Sequence, residues 1–405
     1  LFAAWLPLLG DAADRTTSIH AVQSLQRHLE TTRDRRPNIK TQKFGSIALT
    51  RADAAKARDL LWADRLEFLR KERSAEMKAK VIRHGNLVMP FEYFVYGNKP
   101  EGGRSLFISM HGGGNTPKRV NDSQWENQKR LYRPKEGVYV APRAPTNTWD
   151  LWHQGHIDPM FARLIENMVA LKEVNPNRVY LMGYSAGGDG VYQLAPRMAD
   201  YLAAAAMMAG HPNETSPLGL HNLPFAIHVG ERDSGYNRNK VAAHWKTQLA
   251  ALRKADPDGY IHHVQIHAGR GHWMNREDAI AVPWMAKQTR NPLPSRIVWK
   301  QDNVTHSTFY WLAVPTGKAA KGPHITATLE QQQVAIKGPA GKIVLVRFND
   351  HLINLDRPVS IKGNGKQLFQ GRVPRTINRL QETLDERRDP HLMFSAKMSV
   401  LLPAP

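Results

Sequence analysis

The spacing of apolar residues changes three times along this 405-residue chain, and each change predicts a different architecture. From about Asp11 to Lys80 apolar positions are sparse. Leu60, Leu61, Leu66 and Leu69 form a stripe through a charged, basic stretch, which predicts a helical N-terminal extension over residues 1–80. From Val81 the apolar residues gather into short runs: Leu87–Tyr96, Leu106 to Met110, Val138 to Ala141, Val179 to Met182, Phe225 to Val229 and Val264 to Ile266. Near-continuous runs of this length suit strands buried on both faces of a parallel sheet. Helical spacing fills the intervals. Asp158 is placed to cap one helix, with Pro159 at its first position and Phe161, Leu164, Ile165, Met168 and Leu171 on its apolar face. A second helix is expected from Ala186 through Met198. Alternation of this kind over residues 81–290 predicts a doubly wound, mostly parallel α/β sheet with right-handed crossovers. Beyond Asn291-Pro292-Leu293-Pro294 the runs shorten to segments such as Ile297-Val298-Trp299, Phe309 to Leu312 and Ile343 to Val346, broken by Gly and Pro. That texture predicts an antiparallel β domain over residues 291–405.

Composition agrees with more than one structural unit, since a single core seldom serves 405 residues. An apolar share of 41% and ten tryptophans supply core material, while 23% charged residues keep the surface polar. The net charge of +20 favours anionic partners, or is simply a solvated basic surface; it is spread along the chain and no nucleic-acid motif accompanies it. The absence of cysteine excludes disulfides, thiolate zinc sites and cysteine nucleophiles. Leu1 to Gly10 is apolar and is followed by Asp11-Ala12-Ala13-Asp14. It is expected either as the remnant of an export signal, which would make the protein secreted or periplasmic, or as an apolar helix docked on the body. It is too short for a transmembrane anchor.

Candidate chemistry sits directly behind the predicted strands. Gly183-Tyr184-Ser185-Ala186-Gly187 follows the strand ending at Met182 and precedes a helix, the strand-turn-helix context of a nucleophile elbow. The glycines permit a sharp turn, and the serine takes a strained backbone that projects its hydroxyl. A glycine-rich turn without chemistry is the competing reading. Against it stands His111-Gly112-Gly113-Gly114, behind the strand ending at Met110, where backbone N–H groups of Gly113 and Gly114 are expected to join that of Ala186 as an oxyanion hole. His111 itself is expected to brace that loop. A serine hydroxyl needs a base, and the base an orienting acid. Asp233 in Val229-Gly230-Glu231-Arg232-Asp233 is the first choice for the acid, with Glu231 its rival; His272 in Gly271-His272-Trp273 is the base, with His267 its rival. His262 and His263 fall within or before the last strand of this region.

The chain resembles the α/β-hydrolase superfamily, in its branch of feruloyl esterases, polyhydroxyalkanoate depolymerases and predicted peptidases. The resemblance runs from about Val81 to Gln288 and is carried by Asn175 through Gly188, His111 to Gly114, Asp233 and Gly271-His272-Trp273. It implies a serine hydrolase cleaving carboxylic esters, of a carbohydrate or polymer and of acidic character if the basic charge bears on it. The same residues leave a serine peptidase open, as well as a non-catalytic polyanion- or partner-binding protein on a hydrolase fold. No cofactor is implied: His-Glu-x-x-His and a lysine-bearing phosphate loop are both missing from the sequence. Trp149, Trp152, His153, Tyr184 and Trp273, with Trp125 and His156, are expected to line a substrate pocket or to pack in the core.

Overall fold

Helices α1 (Arg15–Glu30), α2 (Arg51–Glu72) and α3 (Ser74–Ala79) open the computed structural model, which describes residues 14–322 and 324–405. The expectations for Leu1 to Gly10 lie outside the described residues. Asp14 caps α1, accepting from the Thr17 amide at 2.9 Å, and Ala21, Val22, Leu25 and His28 form its buried face. Lys80, in the left-handed region at φ 53°, ends α3 and turns the chain into the sheet.

The larger compact unit spans Leu69–Asn291 and Lys300–Thr305. Its strands and helices run β1 (Val81–His84), β2 (Leu87–Tyr96), β3 (Arg104–Met110), α4 (Lys118–Leu131), β4 (Gly137–Pro142), α5 (Ile157–Lys172), β5 (Val174–Tyr184), α6 (Ala186–Arg197), β6 (Ala204–Met208), β7 (Phe225–Gly230), α7 (Arg238–Ala255), β8 (His262–His267) and α8 (Ala281–Ala286). The eight strands form one sheet in the order β1-β2-β4-β3-β5-β6-β7-β8. Pairing is parallel from β4 through β8, while β2 lies antiparallel to both β1 and β4. This is a doubly wound, mostly parallel α/β sheet. Strands β4, β6 and β7 are buried at every residue, which is why β4 and β7 read as unbroken apolar runs. The chain places β4 on one side of β3 and β5 on the other, so the direction of sheet building reverses there. A crevice opens at the carboxyl ends of such a pair.

One expectation needs correction. Helix α5 begins at Ile157 with His156 as its N-cap; Asp158 lies one residue inside, where its two carboxylate oxygens take the Arg197 guanidinium at 2.9 Å each. The second compact unit joins residues up to Phe68 with Pro292–Trp299 and His306–Pro405.

In that second unit the C-terminal elements are β9 (Arg296–Lys300), β10 (Thr308–Phe309), β11 (Leu312–Ala313), β12 (His324–Glu330), β13 (Gln333–Lys337), β14 (Ile343–Phe348), β15 (Val359–Gly363), β16 (Lys366–Gly371), α9 (Ile377–Arg387) and β17 (Ala396–Leu401). They form a four-stranded sheet, β10-β11-β14-β17, and a five-stranded sheet, β16-β15-β13-β12-β9. The expected antiparallel pairing prevails, with β13 and β15 a parallel pair. Ala21, Val22 and Leu25 of α1, with Ala54, Ala57 and Leu61 of α2, share one core with Ile377, Leu380 and Leu384 of α9 and with Met393. The apolar stripes of α1 and α2 therefore find their complement more than three hundred residues later. Among the described residues no helix is long and apolar enough to cross a membrane.

Candidate active site

Ser185 sits between β5 and α6 with φ 58° and ψ −122°, a conformation that costs a non-glycine residue on the order of 1–3 kcal/mol. Glycine contacts and one hydrogen bond hold it there. A Cβ on Gly187 would collide with the carbonyl oxygen of Met110 at the end of β3, and one on Gly183 with the carbonyl of Gly187. The Ser185 amide donates to the Met208 carbonyl of β6 at 2.9 Å. The elbow is thus clamped to both neighbouring strands.

His272 and Asp233 complete a hydrogen-bonded chain from Ser185. The His272 Nε2 atom lies 3.0 Å from the Ser185 Oγ, and its Nδ1 lies 2.8 Å from Asp233 Oδ2. Because a carboxylate only accepts, Nδ1 carries the ring proton and Nε2 presents its lone pair to the serine hydroxyl. Asp233 is only 3% exposed, and the Arg238 guanidinium stands 3.8 Å from its other oxygen. Its backbone is fixed by donation to the Gly230 carbonyl and by acceptance from the Asn239 amide. The loop carrying His272 is pinned by Tyr184, whose hydroxyl donates to the His272 carbonyl at 2.7 Å and accepts from the Met274 amide at 3.1 Å. Burial pushes the Tyr184 phenol well above its ordinary pKa, so the hydroxyl keeps its proton.

The rival residues have other partners. Glu231 accepts from the Gly269 amide at 2.8 Å and braces the histidine loop from below. His267 is buried against His228, with 3.1 Å between His267 Nε2 and His228 Nδ1, while its own Nδ1 stands 3.3 Å from Glu277. His262 and His263 lie in β8.

The glycine loop after β3 departs from expectation at one position. Gly113 (φ 106°) and Gly114 (φ 82°) both take backbone conformations that favour glycine. The Gly114 amide, however, donates to Asn121 Oδ1 at 2.9 Å and is therefore not free to face an oxyanion. Gly113 borders the cavity beside Ser185, and Ala186 is the first residue of α6, where an N–H has no intrahelical acceptor. His111 braces the loop as expected. Its Nε2 accepts from the Ala144 amide at 3.1 Å, so Nδ1 bears the proton and donates to the Gly112 carbonyl at 2.6 Å. Burial lowers His111 to about 3. Asp189, one turn into α6, accepts from the His211 amide at 2.6 Å and is pushed up to about 6 by burial.

A cavity of about 720 Å3 opens beside Ser185 and His272. Tyr184 and Trp273 border it as expected, with their rings 5.7 Å apart. Trp149, Trp152 and His153 do not border this cavity. Trp152 is fully buried: its indole N–H donates to the His111 carbonyl at 2.9 Å and its Cβ packs against Gly190, so it supports the glycine loop from inside. Trp149 is 58% exposed and packs edge-on against His153; neither borders this cavity. His153 is lowered to about 4 by desolvation, and its carbonyl accepts from Arg197. The opposite wall comes from α4, through Val120, Gln124, Gln128 and Leu131, together with Arg130. The spacing of these residues was a faint signal in a helix dominated by polar residues. Arg276 borders the cavity as well, and among the described residues no carboxylate does. Among the described residues no group of three or more His, Asp or Glu is placed to hold a metal ion.

A strained serine behind β5, a buried carboxylate behind β7 and an imidazole behind β8, linked by hydrogen bonds at the carboxyl edge of a parallel sheet, have the layout of an α/β hydrolase. Residues 134–291, which carry all three, match the dienelactone hydrolase family. Over 199 residues the chain is 34% identical to a bifunctional acetylxylan esterase/xylanase of Neocallimastix patriciarum, covering 47% of this chain and 29% of that protein. The chain thus spans less than a third of that relative's length. Among solved structures it is similar to a thermostable esterase, at 18% identity and a TM-score of 0.38 over 52% of this chain and 62% of the other. It is also similar to a poly(3-hydroxybutyrate) depolymerase from Bordetella parapertussis, at 16% identity and a TM-score of 0.37 over 52% and 87% of the two chains.

Proposed function

We propose that the chain is a serine hydrolase of carboxylic esters. The observation that carries this reading is the continuous hydrogen-bonded chain from Ser185 Oγ through His272 to Asp233. The serine oxygen attacks the ester carbonyl carbon while His272 Nε2 takes its proton. The carbonyl electrons move onto oxygen, where the amides of Gly113 and Ala186 receive the negative charge. Each such donor contributes about 3–4 kcal/mol to the transition state. The C–O bond to the alcohol then breaks, and the imidazolium returns the proton to the leaving oxygen. Water repeats the sequence on the acyl-enzyme, releasing the acid and restoring Ser185. Asp233 holds the imidazole tautomer and stabilises its charged form throughout.

The acetylxylan esterase relative supports an ester linked to a carbohydrate. Arg130 and Arg276, in a cavity without a bordering carboxylate, support an acidic group on that ester. Labelling with a fluorophosphonate probe tests the nucleophile. Wild type is expected to label at Ser185 and Ser185→Ala not at all, with ester turnover reduced at least about 1,000-fold. Equal labelling of the two proteins would refute the assignment.

A further inference from the structure

The unit that does not carry Ser185 contains a cleft of its own. It is about 490 Å3 in volume, within the range of about 300–1,000 Å3 usual for small-molecule sites. One wall is α2; the opposite wall is formed by the turn at Asn349-Asp350-His351 after β14 and by Pro390 to Ser395. Three observations define what it offers. Trp62 of α2 presents a half-buried indole among apolar neighbours, among them Leu293, Leu380 and Met393. Such a face accepts the C–H-rich side of a flat ring, because the π-cloud is negative and C–H edges are positive.

The polar groups around the indole are planar and already held in place. Arg58 pairs with Asp59 at 2.8 Å and reaches His351 Nε2 at 3.1 Å; Asp350 takes Arg375 through both oxygens, at 2.8 and 2.5 Å. Fixed donors and acceptors on paired side chains lose little entropy when a ligand arrives. The formal charges bordering the cleft, Arg51 and Arg58 against Asp59 and Asp350, cancel even though the chain carries +20. This selects against an anion. Finally, Ser395 borders the cleft at 3% exposure, and its Oγ has no hydrogen-bond partner. A buried hydroxyl in that condition is complementary to an incoming hydroxyl.

We propose that this cleft binds a neutral saccharide, one pyranose ring stacking on Trp62 and its hydroxyls meeting Ser395 and the Arg58–Asp59 pair. The inference does not depend on the ester reading, because the probes carry no ester. Calorimetric titration of the full chain with xylohexaose, cellohexaose and mannohexaose, beside acidic hexagalacturonate, tests it. At least one neutral hexamer is expected to bind with Kd below about 1 mM. Trp62→Ala is expected to weaken that binding about tenfold or more, and Ser395→Ala about threefold or more. Turnover of a soluble aryl ester should be unchanged in both variants. Ser395→Ala removes only an unpartnered hydroxyl, so a purely structural role predicts no change in binding, and this variant decides the matter if Trp62→Ala does not fold. The proposal is overturned if no neutral hexamer binds at about 5 mM, if hexagalacturonate binds more tightly than all three, or if both folded variants bind like wild type.

Discussion

Replacing Tyr184 by phenylalanine removes one oxygen atom from the enzyme and leaves the ring that borders the cavity. That oxygen makes two bonds, donating to the His272 carbonyl at 2.7 Å and accepting from the Met274 amide at 3.1 Å. Met274 is fully buried, so its N–H is left without a partner. An unpaired buried amide costs about 1–3 kcal/mol and the lost donation about 1 kcal/mol more, or about 2–4 kcal/mol together. Two outcomes share this cost. If the histidine loop stays in place, the whole loss falls on stability, and a unit of this size melts roughly 4–16 °C lower. If the loop relaxes to find water for Met274, His272 moves with it and the 3.0 Å contact to Ser185 lengthens. About 2 kcal/mol diverted in this way lowers kcat about 30-fold with KM little changed. Scanning calorimetry and steady-state hydrolysis of an aryl ester measure the two shares, and the rate of fluorophosphonate labelling reports the serine-histidine geometry directly. A Tyr184→Phe protein matching wild type in melting temperature, kcat and labelling rate would show that the hydroxyl positions nothing. A change in KM alone would show that the hydroxyl acts on substrate binding and not on the histidine loop.

The two carboxylates behind β7 should respond unequally. Asp233→Asn is expected to lower kcat about 10,000-fold, because the amide favours the wrong imidazole tautomer. Glu231→Gln, which loses only its bond to the Gly269 amide, should lower it less than about tenfold, and stopped assays on both variants distinguish them. Acid should destabilise the protein below pH 6.5. Burial holds His111 and His228 at about 3 and His153 at about 4, so from pH 6.5 downward the unfolded chain takes up three protons that the folded chain refuses. Each costs about 2 kcal/mol by pH 5. Asp189, raised to about 6, works in the opposite direction and returns about 1 kcal/mol over the same interval. Urea unfolding should therefore show a net loss of about 4–5 kcal/mol between pH 7 and pH 5. His111→Gln should flatten that slope, and an unchanged slope would contradict the assignment.

The candidate site was legible because its chemistry follows strands that are buried on both faces. Such strands read as unbroken apolar runs, so Ser185, Asp233 and His272 could each be placed at a strand end before any geometry was known. Strand β6 escaped the same reading. Its sequence, Ala204-Ala205-Ala206-Met207-Met208, has strong helical propensity, yet it is a fully buried strand within the sheet. Its last carbonyl is approached so closely by Gly188 that a Cβ there would collide with it. Tertiary packing decided that element. Nearness in sequence left the choice between pocket and core open for Trp149, Trp152 and His153, since it does not say on which side of a loop an indole packs. The pairing of α1 and α2 with α9 was invisible for a related reason: an amphipathic stripe announces that a partner exists, but not where along the chain it lies.

That last pairing sets an order of events during synthesis. Leu25 and Leu61 leave the ribosome more than three hundred residues before Ile377 to Met393, which cover them. The segment bearing Ser185 can complete its sheet in the interval, while the N-terminal helices wait with their apolar faces uncovered. Closing so long a loop makes this unit the slower to form. A chain halted near residue 291 would carry a finished sheet and an orphaned pair of helices, so its weakness would be aggregation and not a missing catalytic group.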